Sequence, residues 1–143
     1  MRIIGLDIGE KRVGIAYCDT ATNVCVPLKV INASEVSESS PSWRRLLADY
    51  EPDLIVCGLP KTLSGARGKQ ARRVEELARQ IALQAGVELE FEDERLSSSQ
   101  AKRYLREQGM SEREMRGKLD SVAASLILQS WLDAHASEMT GEQ

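Results

Sequence analysis

The sequence has few of the residues that several common classes of protein require. Of its 143 residues 4% are aromatic, and it contains one histidine, His135, and three cysteines, Cys18, Cys25 and Cys57. An odd number of cysteines without C-x-x-C spacing argues against a disulfide framework or a zinc site. A single histidine near the end of the chain argues against Ser/His or Cys/His hydrolysis. Free thiols in a reducing cytoplasm are therefore the expectation.

Long apolar runs are also missing. No stretch approaches the roughly 20 apolar residues of a membrane helix. Asp7 interrupts the first apolar segment before a signal peptide could form, so we expect neither export nor a membrane partner. The composition, 42% hydrophobic and 29% charged, is that of one globular domain. We expect a single domain over residues 1–136 and a frayed C-terminal tail over residues 137–143.

The net charge of −3 conceals an uneven distribution. Residues 61–118 carry 13 basic and 10 acidic side chains, whereas residues 119–143 carry 4 acids and no lysine or arginine. Residues 61–73 contain no acid and five cations: Lys61, Arg67, Lys69, Arg72 and Arg73. Local cation density, rather than net charge, governs attraction to phosphate. Charge alone leaves a solvated helix face as the alternative.

Hydrophobic periodicity predicts an α/β domain. Strand patterns over residues 2–8, 11–19 and 24–31 predict an antiparallel meander. A Ser/Glu-rich loop over residues 34–42 follows, and the later segments then alternate between helix and strand patterns. They are a helix ending at Tyr50, a strand over 54–57, a helix from Gly68 to Gly86, a strand over 87–92, a helix from Ser97 to Gly109 and a helix over 119–135. This order predicts a mixed five-stranded sheet flanked by helices, the RNase H-like topology.

Two carboxylates occur where a strand or helix is otherwise apolar. An unpaired Asp7 in its apolar strand would carry a heavy desolvation cost. It is therefore either paired with Lys11 or Arg12, or a metal ligand. Asp120 is the only charge in residues 119–132. It is either the helix N-cap or a side chain directed toward a metal near Asp7.

A third acidic feature, Asp93 and Glu94, follows the fifth predicted strand, where ligand sites of α/β sheets tend to lie. Successive strand residues point to opposite faces, and the period alone does not choose between these two acids. An exposed strand end paired with Arg95 is the alternative. Together the three features supply the oxygen ligands that magnesium takes in phosphodiesterases.

Several segments in order resemble the motifs of the YqgF/RuvX family. They are GLDIGEKRVGIAYCD, PDLIVCGLP, LSGARGKQARRV, DERLSSSQA and GKLDSVAASLILQSWL. The resemblance runs from Met1 to about Leu132. The family is similar in fold to the RuvC Holliday-junction resolvases. It is described both as the nuclease that completes the 5′ end of pre-16S ribosomal RNA and as a junction resolvase.

The resemblance implies particular roles for residues of this chain. Asp7, Glu94 and Asp120 would be the catalytic acids and ligands of Mg²⁺ or Mn²⁺, with Asp93 in reserve. The basic side chains that would contact nucleic-acid phosphates are Lys11, Arg12, Lys61, Arg67, Lys69, Arg72, Arg95 and Lys118.

The leading hypothesis is a metal-dependent endo- or exonuclease that matures the 5′ end of pre-16S ribosomal RNA during ribosome biogenesis. Its partners would be RNA or branched DNA, with ribosomal particles as a further partner, and it would act as a monomer or homodimer. A Holliday-junction resolvase in DNA recombination and repair is one alternative, and a non-catalytic nucleic-acid-binding module is another. Magnesium-dependent cleavage distinguishes the last from the others.

Overall fold

The computed structural model describes residues 1–60, 68–93 and 97–140, and their side chains except those of 97–99 and 136–140. The strands in these ranges are β1 (Arg2–Ile8), β2 (Arg12–Asp19), β3 (Val24–Asn32), β4 (Leu54–Leu59) and β5 (Glu88–Asp93). The helices are α1 (Ala33–Ser37), α2 (Pro41–Tyr50), α3 (Lys69–Ala85), α4 (Ser97–Glu107), α5 (Glu112–Arg116) and α6 (Leu119–Thr140).

The strands form one mixed sheet in the order β3-β2-β1-β4-β5. β2 pairs antiparallel with both β1 and β3, whereas β4 pairs parallel with β1 and with β5. The predicted five-stranded mixed sheet is thus confirmed. The carboxyl ends of β1, β4 and β5 all lie at one edge of the sheet because these three strands are parallel.

Helices cover both faces of the sheet, since successive strand side chains point to opposite sides. The larger core lies between one face and helices α1 to α3, and its residues include Ile4, Leu6, Trp43, Ile55, Val74 and Ile81. The other face packs against α6, in a core that includes Ile3, Ala16, Val56, Ile127, Leu128 and Trp131. Gly5 lets α6 come close to β1, because a Cβ there would lie 3.1 Å from the carbonyl oxygen of Ala124.

A third layer lies on the far side of α6 from the sheet. Helices α4 and α5 pack against the first half of α6 through a separate apolar cluster. Its buried members are Ala101, Leu105, Met115, Val122 and Ala123. The start of α6 is therefore held between the sheet and the α4–α5 pair.

The structure corrects three element predictions. Residues 34–42 are not one loop, since α1 occupies part of them and α2 begins at Pro41. Helix α5 was not predicted, although Ser111 and Glu114 form a reciprocal capping box at its start, which is a helix signal readable in sequence. Helix α6 extends to Thr140, into the segment predicted as a frayed tail. Among the described residues, no helix is long and apolar enough to cross a membrane.

No disulfide joins the three cysteines, Cys18, Cys25 and Cys57. Cys18 and Cys25 are register partners across β2 and β3. Cys18 and Cys57 are buried, and Cys25 is half-buried. Burial raises the pKa of the Cys18 thiol and, more strongly, that of Cys25, because an apolar environment disfavours the thiolate.

These raised thiol pKa values predict a loss of stability in alkali. The unfolded chain releases thiol protons above its ordinary thiol pKa of about 8.5, whereas the folded chain retains them. The stabilising contribution is therefore complete below that pH and is lost as pH rises toward the folded-state pKa. We expect urea unfolding between pH 7.5 and 9.5 to show a falling free energy of unfolding, and a Cys18→Ala/Cys25→Ala variant to show a shallower fall. Equal falls in the free energy of unfolding of the two proteins would contradict this role of the two thiols. The series stops at pH 9.5 because burial also raises the pKa of Tyr17, and an unfolded tyrosine releases its proton mainly above about pH 10.

Candidate active site

Asp7 lies at the carboxyl edge of the sheet, on the face that packs against α6. It is the next-to-last residue of β1 and pairs in register with Gly14 of β2. Its side chain is half-buried, between the fully buried neighbours Leu6 and Ile8 in sequence. A carboxylate in this position is partly shielded from water, which strengthens its interaction with a nearby cation.

Gly14 brings the start of α6 against the sheet beside Asp7. A Cβ at Gly14 would collide with the backbone carbonyl group of Asp120. Only a glycine therefore allows the first turn of α6 to lie directly on β2 at this point. Because Gly14 is the ladder partner of Asp7, this contact brings Asp7 and Asp120 to the same corner of the fold. This role of Gly14 was not predicted, and the signal for it in the sequence was a glycine inside a strand pattern.

Asp120 lies within the first turn of α6, not at its N-cap. The helix begins at Leu119, and the carbonyl oxygen of Lys118 accepts the N–H of Val122. The N-cap interpretation is therefore wrong. A carboxylate in a first helical turn is stabilised by the positive end of the helix dipole.

Arg12 is the cationic partner of Asp120. Its Nε donates a hydrogen bond to Oδ2 of Asp120 at 3.1 Å, with the Arg12 side chain 60% exposed and that of Asp120 25% exposed. The arginine proposed from sequence as an ion-pair partner for Asp7 thus contacts Asp120. A guanidinium carries five N–H donors, so Arg12 keeps donors for a bound anion while it orients Asp120.

A cleft of about 260 Å³ opens beside this pair. It is lined by Gly9, Glu10, Lys11, Arg12 and Asp120. The cleft places exposed cations next to a carboxylate, which is the arrangement required to bind a phosphate together with a divalent cation.

The acids of β5 fall on two faces. Glu90 and Glu92 point toward α6, since Trp131 Nε1 donates to Glu90 at 2.9 Å and Ser130 Oγ to Glu92 at 2.8 Å. The face of β5 that carries Glu90 and Glu92 is therefore partly covered by α6. Asp93 is the register partner of Leu59, which belongs to the core on the other side of the sheet. Asp93 thus lies on the face opposite Asp7.

The predicted phosphate-binding residues fall into two groups. Lys11, Arg12 and Lys118 are exposed near the start of α6. Lys69 and Arg72 are exposed on the first turn of α3, which packs on the other face of the sheet. Four of the predicted site residues lie outside the described residues: Lys61, Arg67, Glu94 and Arg95.

The donor set at this corner suits a hard divalent cation. Among the described residues, no group of three or more histidine, cysteine, aspartate or glutamate side chains could hold a metal ion. Asp7 and Asp120 offer two carboxylates, and magnesium is commonly bound by one or two carboxylates together with waters and substrate phosphates. The residues present therefore fit Mg²⁺ or Mn²⁺.

Solved structures with the same architecture define the class of this fold. Thermus thermophilus RuvC, solved in complex with a Holliday junction substrate, superposes with a TM-score of 0.56 at 16% identity, over 99% of this chain and 96% of that one. The fowlpox virus resolvase, solved with Holliday junction DNA, gives 0.56 at 16% identity, over 94% and 98%. The domain thus has the RNase H-like fold that these two structures share.

Sequence comparison identifies the family within that class. Residues 1–134 match the RuvX family model, described as Holliday junction resolvase. A protein of Anaeromyxobacter sp. (strain Fw109-5), provisionally named a pre-16S rRNA nuclease, is 41% identical over 93% of this chain and 97% of its own length. A relative of the same name in Synechocystis sp. is 36% identical over 95% and 90%. The chain belongs to the RuvX family of nucleases, as its motifs predicted.

Proposed function

We propose that this chain is a metal-dependent nuclease that hydrolyses phosphodiester bonds in the 5′ region of pre-16S ribosomal RNA. The observation that carries the proposal is the contact of Gly14 with the backbone of Asp120. That contact sets Asp120 against the ladder partner of Asp7, at the carboxyl edge of the sheet, and Asp120 lines a cleft together with Lys11 and Arg12. The names of the curated relatives support RNA as the substrate. The free thiols suit the reducing cytoplasm in which ribosomes are assembled.

In this proposal Asp7 and Asp120 are the metal ligands. Glu94 is the third, because Asp93 lies on the opposite face of the sheet from Asp7. Bound magnesium would supply an activated water and stabilise charge on the departing oxygen. The half-buried position of Asp7 limits competition from bulk water.

The basic residues of the corner bind and orient the substrate. Lys11 and Lys118 neutralise phosphates that flank the reacting one. Arg12 holds Asp120 through its Nε and donates its outer N–H groups to a phosphate oxygen, so that one side chain positions both acid and substrate. Lys69 and Arg72, together with Lys61 and Arg67, would contact RNA leaving the site along α3, and Arg95 would do so after β5.

A second candidate function is cleavage of four-way DNA junctions. The description of the family model favours it, as do the Holliday junctions bound in the resolvases of the same fold. Symmetric strand cleavage requires a two-fold dimer, since each subunit cuts one strand. The RNA proposal holds for a monomer or a homodimer and for free RNA or RNA in ribosomal particles.

Cleavage assays on both substrates test the proposal. A 5′-extended 16S RNA fragment and a four-way junction of matched length are incubated with Mg²⁺, Mn²⁺ or EDTA, and molar mass is measured by light scattering. We expect metal-dependent cleavage of the RNA and an intact junction. Symmetric junction cleavage by a dimer would assign the resolvase function instead. Salt-sensitive binding without cleavage in any metal would leave a non-catalytic binding module.

A further inference from the structure

Helices α4 and α5 carry a group of cations that lies outside all the family-like motifs of the chain. Lys102, Arg103 and Arg106 lie on α4 and Arg116 on α5, and all four side chains are exposed. In the described part of the chain, no carboxylate lies within ion-pair distance of any of them. We call these four residues the α4–α5 basic surface.

Two clefts lie in this surface. A cleft of about 250 Å³ between the two helices is lined by Lys102, Arg106, Glu112, Met115, Arg116 and Leu119. A neighbouring depression of about 450 Å³ is lined by Lys102, Arg103, Arg106 and Glu107. In the first cleft three cations surround the apolar side chains of Met115 and Leu119. This combination suits a nucleotide unit, in which a charged phosphate is joined to a less polar sugar. The two acids, Glu107 and Glu112, are outnumbered by the cations.

The cations repel one another in the free protein. Lys102 and Arg106 are spaced i,i+4 on one helix, where like charges lie close together and destabilise the helix. The polyanionic backbone of a nucleic acid would relieve this repulsion and release its own counterions. A phosphate bound here therefore gains more binding free energy than a phosphate bound beside isolated cations.

The α4–α5 basic surface adjoins the candidate active site. Leu119 lines the cleft between α4 and α5, and the next residue, Asp120, lines the cleft that holds Arg12. The apolar cluster of Leu105, Met115 and Val122 fixes both helices against α6. The two clefts therefore stay at a fixed distance from each other, on either side of the start of α6.

We propose that the α4–α5 basic surface binds the phosphate backbone of the substrate strand that flanks the cleavage point, and thereby positions that strand over Asp7 and Asp120. The proposal rests on the nuclease function proposed above. It assigns a binding role to residues on a different layer of the fold from Lys69 and Arg72, so that the substrate would be held on both sides of the acidic corner.

The test compares two triple variants by equilibrium binding in EDTA, where no cleavage occurs. Lys102→Gln/Arg106→Gln/Arg116→Gln removes the three cations of the cleft. Lys29→Gln/Arg44→Gln/Arg45→Gln removes three exposed cations near α2, on the far side of the sheet, and matches the change in net charge. The probes are a 5′-extended 16S RNA fragment and a four-nucleotide RNA, and circular dichroism checks that both variants fold.

For the long RNA, we expect the first variant to bind at least 10-fold more weakly. Its plot of log K against log salt should be shallower by about 2–3, since each phosphate contact contributes about 0.7 for a single strand and about 0.9 for a duplex. The control variant should keep the wild-type slope. The four-nucleotide RNA should bind the control variant as it binds the wild type, and the first variant more weakly, because the cleft by itself can hold a nucleotide unit. In cleavage assays the first variant should raise KM and leave kcat unchanged. Equal slopes in the two variants would overturn the proposal. Failure of the nuclease function would instead appear as absence of cleavage by the wild-type protein, with the binding difference intact.

Discussion

Replacement of Asp7 by asparagine is expected to lower metal-dependent cleavage by on the order of 10³-fold while leaving the fold intact. The side chain keeps its size and its place on β1, but it loses the negative charge that a hard cation requires. Loss of one preorganised charge at a reacting centre costs about 10²–10³-fold, and a metal ligand also determines where the metal lies. Single-turnover cleavage of the 5′-extended 16S RNA fragment measures the effect on the chemical step.

Two further measurements make the Asp7→Asn result specific. Binding of the RNA in EDTA should be unchanged or tighter, because a negative charge near the phosphates has been removed. Asp49→Asn is the matched control, since Asp49 is an exposed aspartate on α2, remote from the acidic corner. It should cleave at the wild-type rate. Full activity of Asp7→Asn would remove Asp7 from the mechanism.

Gly14→Ala is expected to destabilise the fold strongly, although it adds only one methyl group. The new Cβ would occupy the position of the Asp120 carbonyl group. The atoms that it would meet belong to the backbone, so they cannot rotate away as the end of a side chain could. Either β2 or the start of α6 must move, at a cost of about 3 kcal/mol for overpacking of this kind. Urea unfolding should show that loss. Cleavage should also fall, because the shift displaces Asp120 from Asp7.

Gly117→Ala is the matched control for Gly14→Ala. It makes the same chemical change three residues before Asp120, where the nearest atom to a new Cβ is the Glu114 carbonyl oxygen at 4.0 Å. Its stability should change by no more than about 0.5 kcal/mol, and its cleavage rate should stay at wild type. A Gly14→Ala variant as stable and active as Gly117→Ala would show that close packing of α6 on β2 is not required.

Most of the sheet could be predicted from local patterns. The strand patterns of β1 to β3 and the turns between them indicated the meander, and β4 and β5 were recognisable from their flanking turns and helices. The short helices α1 and α5 were harder, since each is five residues long and has too few turns for hydrophobic periodicity. Their signals are at their ends: the Asn32 N–H donates to the Glu35 carboxylate at 3.3 Å, and Ser111 pairs with Glu114.

Asp7, the acid in the apolar strand, could be singled out from sequence, but its surroundings could not. The sequence left Asp7 open between an ion pair with Lys11 or Arg12 and a metal ligand. In the structure Arg12 contacts Asp120, a residue 108 positions away, and no local pattern predicts such a pairing. The role of Gly14 could not be predicted for the same reason. The backbone that leaves no room for a side chain at Gly14 belongs to α6, near the other end of the chain.

The sequence by itself determined the class of fold, the family and the identity of the acids and cations, because strand period, helix period and motif order are local properties of the chain. The tertiary structure decided which of these residues meet. It brought the backbone of Asp120 onto Gly14, the ladder partner of Asp7. It also set Asp93 on the opposite face and placed the α4–α5 basic surface against the start of α6. These choices depend on how closely a helix can approach a strand and on which strands are parallel, and both follow from packing between segments that are distant in sequence.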